Sequence, residues 1–274
     1  MSEITINQDQ CSGCGICSVV CPYLIIRIEE KTQKAMVIPQ AAPYCSTCGH
    51  CGAICPEGAI SVTSPDIGPI PVLTGQTLPT TGQMSQLIMS RRSIRDYTKK
   101  TIPRETFEEI INLVRYAPTG MNDQSVHWLV IQKPEDVREL AGKVIEWARE
   151  TVKTQPDHVL TPLLPMIIGA WDRGADKICH GAPGLVFAHG HKDNPVAFID
   201  SVIALTHLDL TAPVFGLGTC WAGIVQIALD SSPELMNSLG LPADHKTFYG
   251  MMIGYPKYSY PRIPGRNSAK ITWK

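Results

Sequence analysis

Eight cysteines fall into two copies of one pattern, C-x2-C-x2-C-x3-C-P: Cys11, Cys14, Cys17 and Cys21 before Pro22, then Cys45, Cys48, Cys51 and Cys55 before Pro56. Thiolates are soft ligands, and three of them at successive two-residue steps can wrap one loop around a cube of iron and sulfide. Tetrahedral zinc is the alternative, since it also takes thiolates at C-x2-C spacing, although zinc sites usually pair two short knuckles across a longer gap. A disulfide framework fits less well. We read no apolar leader ahead of the first strand and expect a cytoplasmic protein, where thiols stay reduced and dense cysteine patterns signal metal. His50, inside the second run, reads as an exposed loop residue, because four cysteines already fill the coordination shell.

The double pattern resembles that of the bacterial two-cluster ferredoxins. That resemblance implies two 4Fe-4S clusters with crossed ligation, one on Cys11, Cys14, Cys17 and Cys55, the other on Cys45, Cys48, Cys51 and Cys21. The runs are 34 residues apart, each between short β-branched segments, 3–6 and 24–28 for the first, 35–38 and 59–62 for the second. This internal duplication predicts two half-domains folded face to face, with metal supplying the cohesion that so small a core lacks.

Four further patches hold groups that could bind a ligand. Arg91-Arg92-Ser93-Ile94-Arg95 places three guanidiniums and a hydroxyl within five residues, enough to wrap a phosphate through bidentate, charge-assisted bonds. Residues 117–124, Ala-Pro-Thr-Gly-Met-Asn-Asp-Gln, offer backbone amides, a hydroxyl and an amide side chain on a polar turn. Residues 216–223, Gly-Leu-Gly-Thr-Cys-Trp-Ala-Gly, read as a glycine turn that lets backbone approach a flat ring before a helix begins. This is not a dinucleotide fingerprint, for the third glycine is missing. The tail, residues 262–266, adds Arg262 and Arg266.

The elements that must position these patches alternate in period. A helix is expected from the Thr101-Ile-Pro-Arg-Glu start to about residue 116, where Phe107, Ile110, Ile111 and Val114 share a face before Pro118. A strand follows at 127–132, a helix at 134–154, a strand at 184–188, a long apolar helix at 195–215 and a strand at 248–253. We therefore expect an α+β sandwich. A Pro- and Gly-rich stretch, 64–83, should form no regular element, so the expected domains are 1–63, a linker 64–83, and 84–274.

The order of the four patches resembles the nitroreductase family of FMN-dependent flavoproteins over about 190 residues from Gln83 onward. By that likeness Arg91, Arg92, Ser93 and Arg95 hold the FMN phosphate and ribityl chain, with Arg266 joining them from the tail. Pro118, Thr119, Gly120 and Asn122 line the isoalloxazine and ribityl side, and Cys220, Ala222 and Gly223 present backbone near the flavin's redox nitrogen. The likeness also implies a homodimer with FMN in its interface. The whole chain resembles the fused ferredoxin-nitroreductase proteins of anaerobic bacteria and archaea; the segment between Trp147 and Pro183 matches no motif, so the resemblance carries over no substrate.

Chemically the fusion reads as an enzyme. Clusters exchange one electron at a time, whereas a nitro, quinone or enone acceptor takes electrons in pairs, and flavin handles both. The donor is a low-potential protein such as a ferredoxin, or NAD(P)H. The alternative is an electron-transfer subunit relaying charge between protein partners. With a formal net charge of -1, no nucleic-acid partner is implied, and Asp200, His207 and Asp209 within the long apolar helix argue against a membrane span. Those aspartates read as structural or interfacial. Cys179-His180, His189 and His191 should flank the 184–188 strand at opposite ends, Cys220 should pack as a small buried hydrophobe, and at least one of Trp128 and Trp221 should be core.

Overall fold

A computed structural model describes residues 3–64, 70–73, 75 and 78–274, and the chain divides into two units, Met1–Leu78 with Met121–Asp123 and Pro79–Gly120 with Gln124–Lys274. The first unit runs β1 (Glu3–Ile6), α1 (Ile16–Val20), β2 (Ile26–Ile28), β3 (Ala35–Val37), α2 (His50–Ala53) and β4 (Ile60–Thr63). β1 pairs antiparallel with β4 and β2 with β3, so each sheet takes one strand from each half of the duplication. Cys17, Ile26, Ala35, Ile60 and Val62 close a small shared core. Gly15 and Gly49 precede the two helices at φ 76° and 71°, a left-handed conformation that glycine adopts without the Cβ penalty.

The expectation of no regular element across 64–83 is corrected at its end, where α3 (Thr81–Ser90) begins. Thr80 and Gln83 form a capping box: the Thr80 hydroxyl accepts from the Gln83 N–H at 3.3 Å, and the Gln83 amide oxygen accepts from the Thr80 N–H at 2.9 Å. That reciprocal pairing nucleates a helix despite the prolines upstream. Residues 65–69, 74, 76 and 77 of the same expectation lie outside the described residues.

The second unit continues with α4 (Arg104–Val114), β5 (His127–Ile131), α5 (Pro134–Thr154), α6 (Leu164–Asp172), β6 (Gly184–His191), α7 (Ala197–Thr211), β7 (Gly218–Trp221), α8 (Gly223–Ser231), α9 (Pro233–Asn237) and β8 (His245–Gly254). Its strands form one antiparallel sheet in the order β5-β6-β8-β7, and the class is α+β. Three expectations change. The 184–188 strand extends to His191, so His189 and His191 belong to β6. The helix expected at 195–215 gives way to a 3-10 turn at Ala212–Phe215, because Pro213 has no N–H to continue the α ladder. The supposed glycine turn at 216–223 contains β7, which β8 recruits as an edge strand.

Alternation along β6 splits the core. Leu185 and Phe187 face one layer with Val144, Ile145, Val225 and Leu229, while Val186 and Ala188 face the other with Ile110, Leu205, Leu208 and Met251. Among the described residues, one helical stretch, Ala197–Phe215, is long and apolar enough to cross a bilayer; Leu205 and Leu208 on it are fully buried in this second layer. Across the central pair Phe187 stands opposite Gly250, and a Cβ built on Gly250 would meet Phe187 Cδ1 at 2.3 Å. Gly250→Ala should therefore lower unfolding stability by about 1–3 kcal/mol through overpacking, and Phe187→Leu in the same chain should restore part of it. Denaturant titration of the single and double variants checks this; additive losses would contradict the contact.

Candidate functional site

Residues 91–98 form a strap laid along β7 and the chain just past β8. The Ile94 N–H donates to the Thr219 carbonyl at 2.9 Å, the Thr98 N–H to Tyr255 at 2.9 Å, and the Lys257 N–H to Asp96 at 3.0 Å. Tyr97 bridges to Pro256 and its hydroxyl donates to the Ile94 carbonyl at 2.6 Å. The first and third patches are thus one surface.

Within it, Asp209 of α7 does two things. Its Oδ2 sits 3.2 Å from Arg91 Nη1, and its Oδ1 accepts the Thr219 hydroxyl. Arg91 is therefore held by protein. Arg92 differs: its Nη2 donates to the Met89 carbonyl at 2.8 Å and its Nη1 to that of Arg91, while its Nε is buried with no partner among the described residues. A buried donor left unpaired costs free energy unless something accepts from it. Ser93 lies beside the Cys220 thiol. Burial pushes that thiol's pKa up, against the pull of Arg95 and of Ser93. Ala222 is buried, its N–H donating to the Gly250 carbonyl at 2.9 Å, and Gly223 opens α8.

The second patch leaves α4 through buried Ala117 and exposed Pro118. The Gly120 N–H donates to Asp200 Oδ1 at 3.0 Å, and the Gln124 N–H to the Thr119 hydroxyl oxygen at 3.0 Å. Met121, Asn122 and Gln124 all have φ between 50° and 57°, a concentration of left-handed non-glycine backbone that marks functional loops. Asp200 Oδ2 and Ser201 Oγ are buried without partners among the described residues. Asn122 belongs to the first unit.

Arg266 lies in the tail. Residues 257–274 are exposed and carry no regular element, and the recorded bond of Arg266 is to its neighbour's carbonyl, Gly265, at 3.1 Å. Among the described residues, no hydrogen bond joins the tail beyond Lys257 to the strap. Asp209, Thr219 and Asp200 were not singled out as site residues from sequence; two aspartates inside an otherwise apolar helix were the signal.

In the first unit Cys21, Cys45, Cys48 and Cys51 line one cavity with Ile4, Ile26 and Val62, and Cys11, Cys17 and Cys55 meet in the small core. Backbone amides reach the sulfurs in matched places, Ile25 to Cys21 at 3.4 Å and Ala59 to Cys55 at 3.3 Å. Burial, then neighbouring thiols, push the pKa of Cys17 up and that of Cys51 to about 11. Thiols so placed favour ionisation only when a cationic centre supplies the missing charge.

Residues 88–255, more than half of the chain, match a family model described as the nitroreductase family. The chain belongs to that family. Residues 10–59 match a 4Fe-4S dicluster domain, so this nitroreductase-family chain has a ferredoxin-type unit at its N-terminal side. It is 29% identical over 192 residues to an FMN reductase [NAD(P)H] of Bacillus subtilis, covering 66% of this chain and 71% of that one. It is 25% identical over 204 residues to a chloronitrobenzene nitroreductase of Comamonas testosteroni, covering 65% and 88%. The fold is that of a Bacteroides fragilis nitroreductase solved with bound FMN, at TM-score 0.56 and 24% identity, covering 70% of this chain and 99% of that one.

Two cysteines lie outside the double pattern. Cys179 and Cys220 are buried, and burial holds the thiol pKa of both above its ordinary value. Alkylation of folded protein at pH 8 should leave both unmodified on peptide mapping, since the thiolate is the reactive form; rapid labelling of Cys220 would show that β7 does not shield it.

Proposed function

We propose that this chain is an iron-sulfur flavoprotein oxidoreductase, taking up single electrons at two 4Fe-4S clusters and delivering them in pairs, or as hydride, to a small nitro, quinone or enone-type acceptor. The reading rests on one conjunction: a four-thiol cavity in one unit and, in the other, an arginine strap with a buried guanidinium nitrogen that has no acceptor among the described residues. FMN is the group that fits the strap, and when bound it supplies the exchange between one- and two-electron chemistry.

The chain's own residues bind and orient. Arg92 and Arg95 hold the phosphate, Ser93 the adjoining polyol, and Arg91, anchored by Asp209, fixes the strap's position. Pro118, Thr119 and Gly120 line the ring side, where the Gly120 bond to Asp200 shapes the loop, and the family likeness adds Asn122. Cys220, Ala222 and Gly223 offer backbone at the mouth of β7. Crossed ligation assigns Cys11, Cys14, Cys17 and Cys55 to one cluster and Cys45, Cys48, Cys51 and Cys21 to the other. A homodimer accounts for the exposed tail, where Tyr258, Tyr260, Ile263, Ile271 and Trp273 are each more than half exposed and Arg266 awaits an anion; apolar groups so concentrated call for a cover. The donor is a low-potential ferredoxin-like protein or NAD(P)H.

Arg92→Ala should weaken FMN retention at least about tenfold through loss of a charge-assisted bond, leaving iron unchanged; equal flavin content in variant and parent would remove the phosphate role. Cys48→Ser should strip one cluster's worth of iron and abolish acceptor reduction driven through the clusters, yet spare reduction by chemically charged flavin. Anaerobic turnover of nitroaromatics or quinones with no protein acceptor present is the assay. Inertness towards all of them would leave the carrier reading in its place.

A further inference from the structure

The sheet register gathers four histidines outside both cofactor sites. His127 on β5 stands opposite His189 on β6, and His191, two residues on, stands opposite His245 on β8. Opposed residues, and residues two apart on a strand, share a face, so all four line the side of the sheet that carries Leu129, Leu185 and Phe187. Three of the rings form a near-equilateral triangle. Their centres are 5.4 Å apart for His127 and His189, 4.8 Å for His127 and His245, and 5.2 Å for His189 and His245. Nδ1 of His189 lies 3.1 Å from Nδ1 of His245. His191 is more distant, 6.4 Å from His245 between ring centres, with its Nε2 3.7 Å from the Asp244 carboxylate.

Three imidazoles around one tetrahedral ion, with metal–nitrogen bonds of about 2.0–2.1 Å, hold their ligand nitrogens about 3.3 Å and their ring centres about 5.2 Å apart. The triangle has that size. A hydrogen bond between two imidazoles explains the contact of His189 with His245 but not the equal approach of a third ring. His189 is 7% exposed, whereas His127 is exposed and His245 half-buried, which leaves an open side for an ion. Among the described residues no three such side chains yet close on a single point, so ligation requires the imidazoles to turn. His127, exposed at the start of edge strand β5, has the freedom to do so.

We propose that His127, His189 and His245 form a three-histidine site for a divalent transition-metal ion of the zinc type, with a fourth position open to water. The ion would pin β5, β6 and β8 together at the end of the sheet where the 117–124 loop enters β5.

The test uses anaerobic holoprotein with full iron, sulfide and flavin, dialysed against Zn2+ and then against metal-free buffer. One zinc per chain should remain, bound at least about tenfold more weakly in His127→Ala and in His245→Asn, with iron content equal in all three. No retained zinc, or a variant that keeps the parent's zinc affinity, overturns the site. Should His245→Asn fail to fold, His127→Ala at its exposed position decides alone. Zinc-edge X-ray absorption gives a second readout: nitrogen at about 2.0–2.1 Å without sulfur supports the three histidines, whereas a sulfur shell at about 2.3 Å places the ion on the cluster cysteines and refutes them.

Discussion

β6 has almost no solvent face, and the second unit is arranged around that constraint. Residues 184–190 are all buried, flanked by β5 and β8 and covered on both faces by helices. A strand in that position must be apolar on both sides, which is why Leu185, Val186, Phe187 and Ala188 run without a polar interruption. Burying a Leu, Val or Phe side chain contributes roughly 1.5–3 kcal/mol each, and the fit of Phe187 over Gly250 sets how closely β8 can lie. The segment just past β8 then receives the strap, so the geometry of residues 91–98 descends from packing at the sheet's centre.

Electrostatics completes what packing begins. A carboxylate inside a protein is tolerated when it is paired and hydrogen-bonded, and Asp209 meets that condition with Arg91 on one oxygen and Thr219 on the other. One side chain thereby links α7, β7 and the strap. The cationic cluster is consequently not a set of free surface arginines. One guanidinium is spent on structure, and another keeps a buried nitrogen with no partner among the described residues.

Much of this was legible in the sequence, and the failures have physical causes. The cysteine runs, the α5 helix and the order of the patches were readable because each rests on local spacing. The capping box at Thr80 is hidden in the sequence by neighbouring prolines that signal an irregular segment. β7 looked like a glycine turn because its pairing with β8 is tertiary and leaves no periodic trace in four residues. The three-histidine triangle was beyond reach altogether: His127, His189 and His245 are far apart in the chain, and only the register of two strand pairings makes them neighbours. The role of Arg266 rests on family likeness alone, because among the described residues the tail carries no regular element whose period could place it.

Asp200 and Asp209 lie nine residues apart on one helix, two and a half turns, and so on opposite sides of it. Each is nevertheless engaged, the first by the Gly120 amide and the second by Arg91 and Thr219. At 1.5 Å per residue the two anchors are separated by about 13.5 Å along the axis, and this distance belongs to a rigid rod with both flanks clamped. α7 thus acts as a ruler between the polar loop and the cationic strap. A ligand long enough to touch both meets a gap whose length is set in advance, so its tightness depends on how well it spans the interval rather than on the protein closing around it.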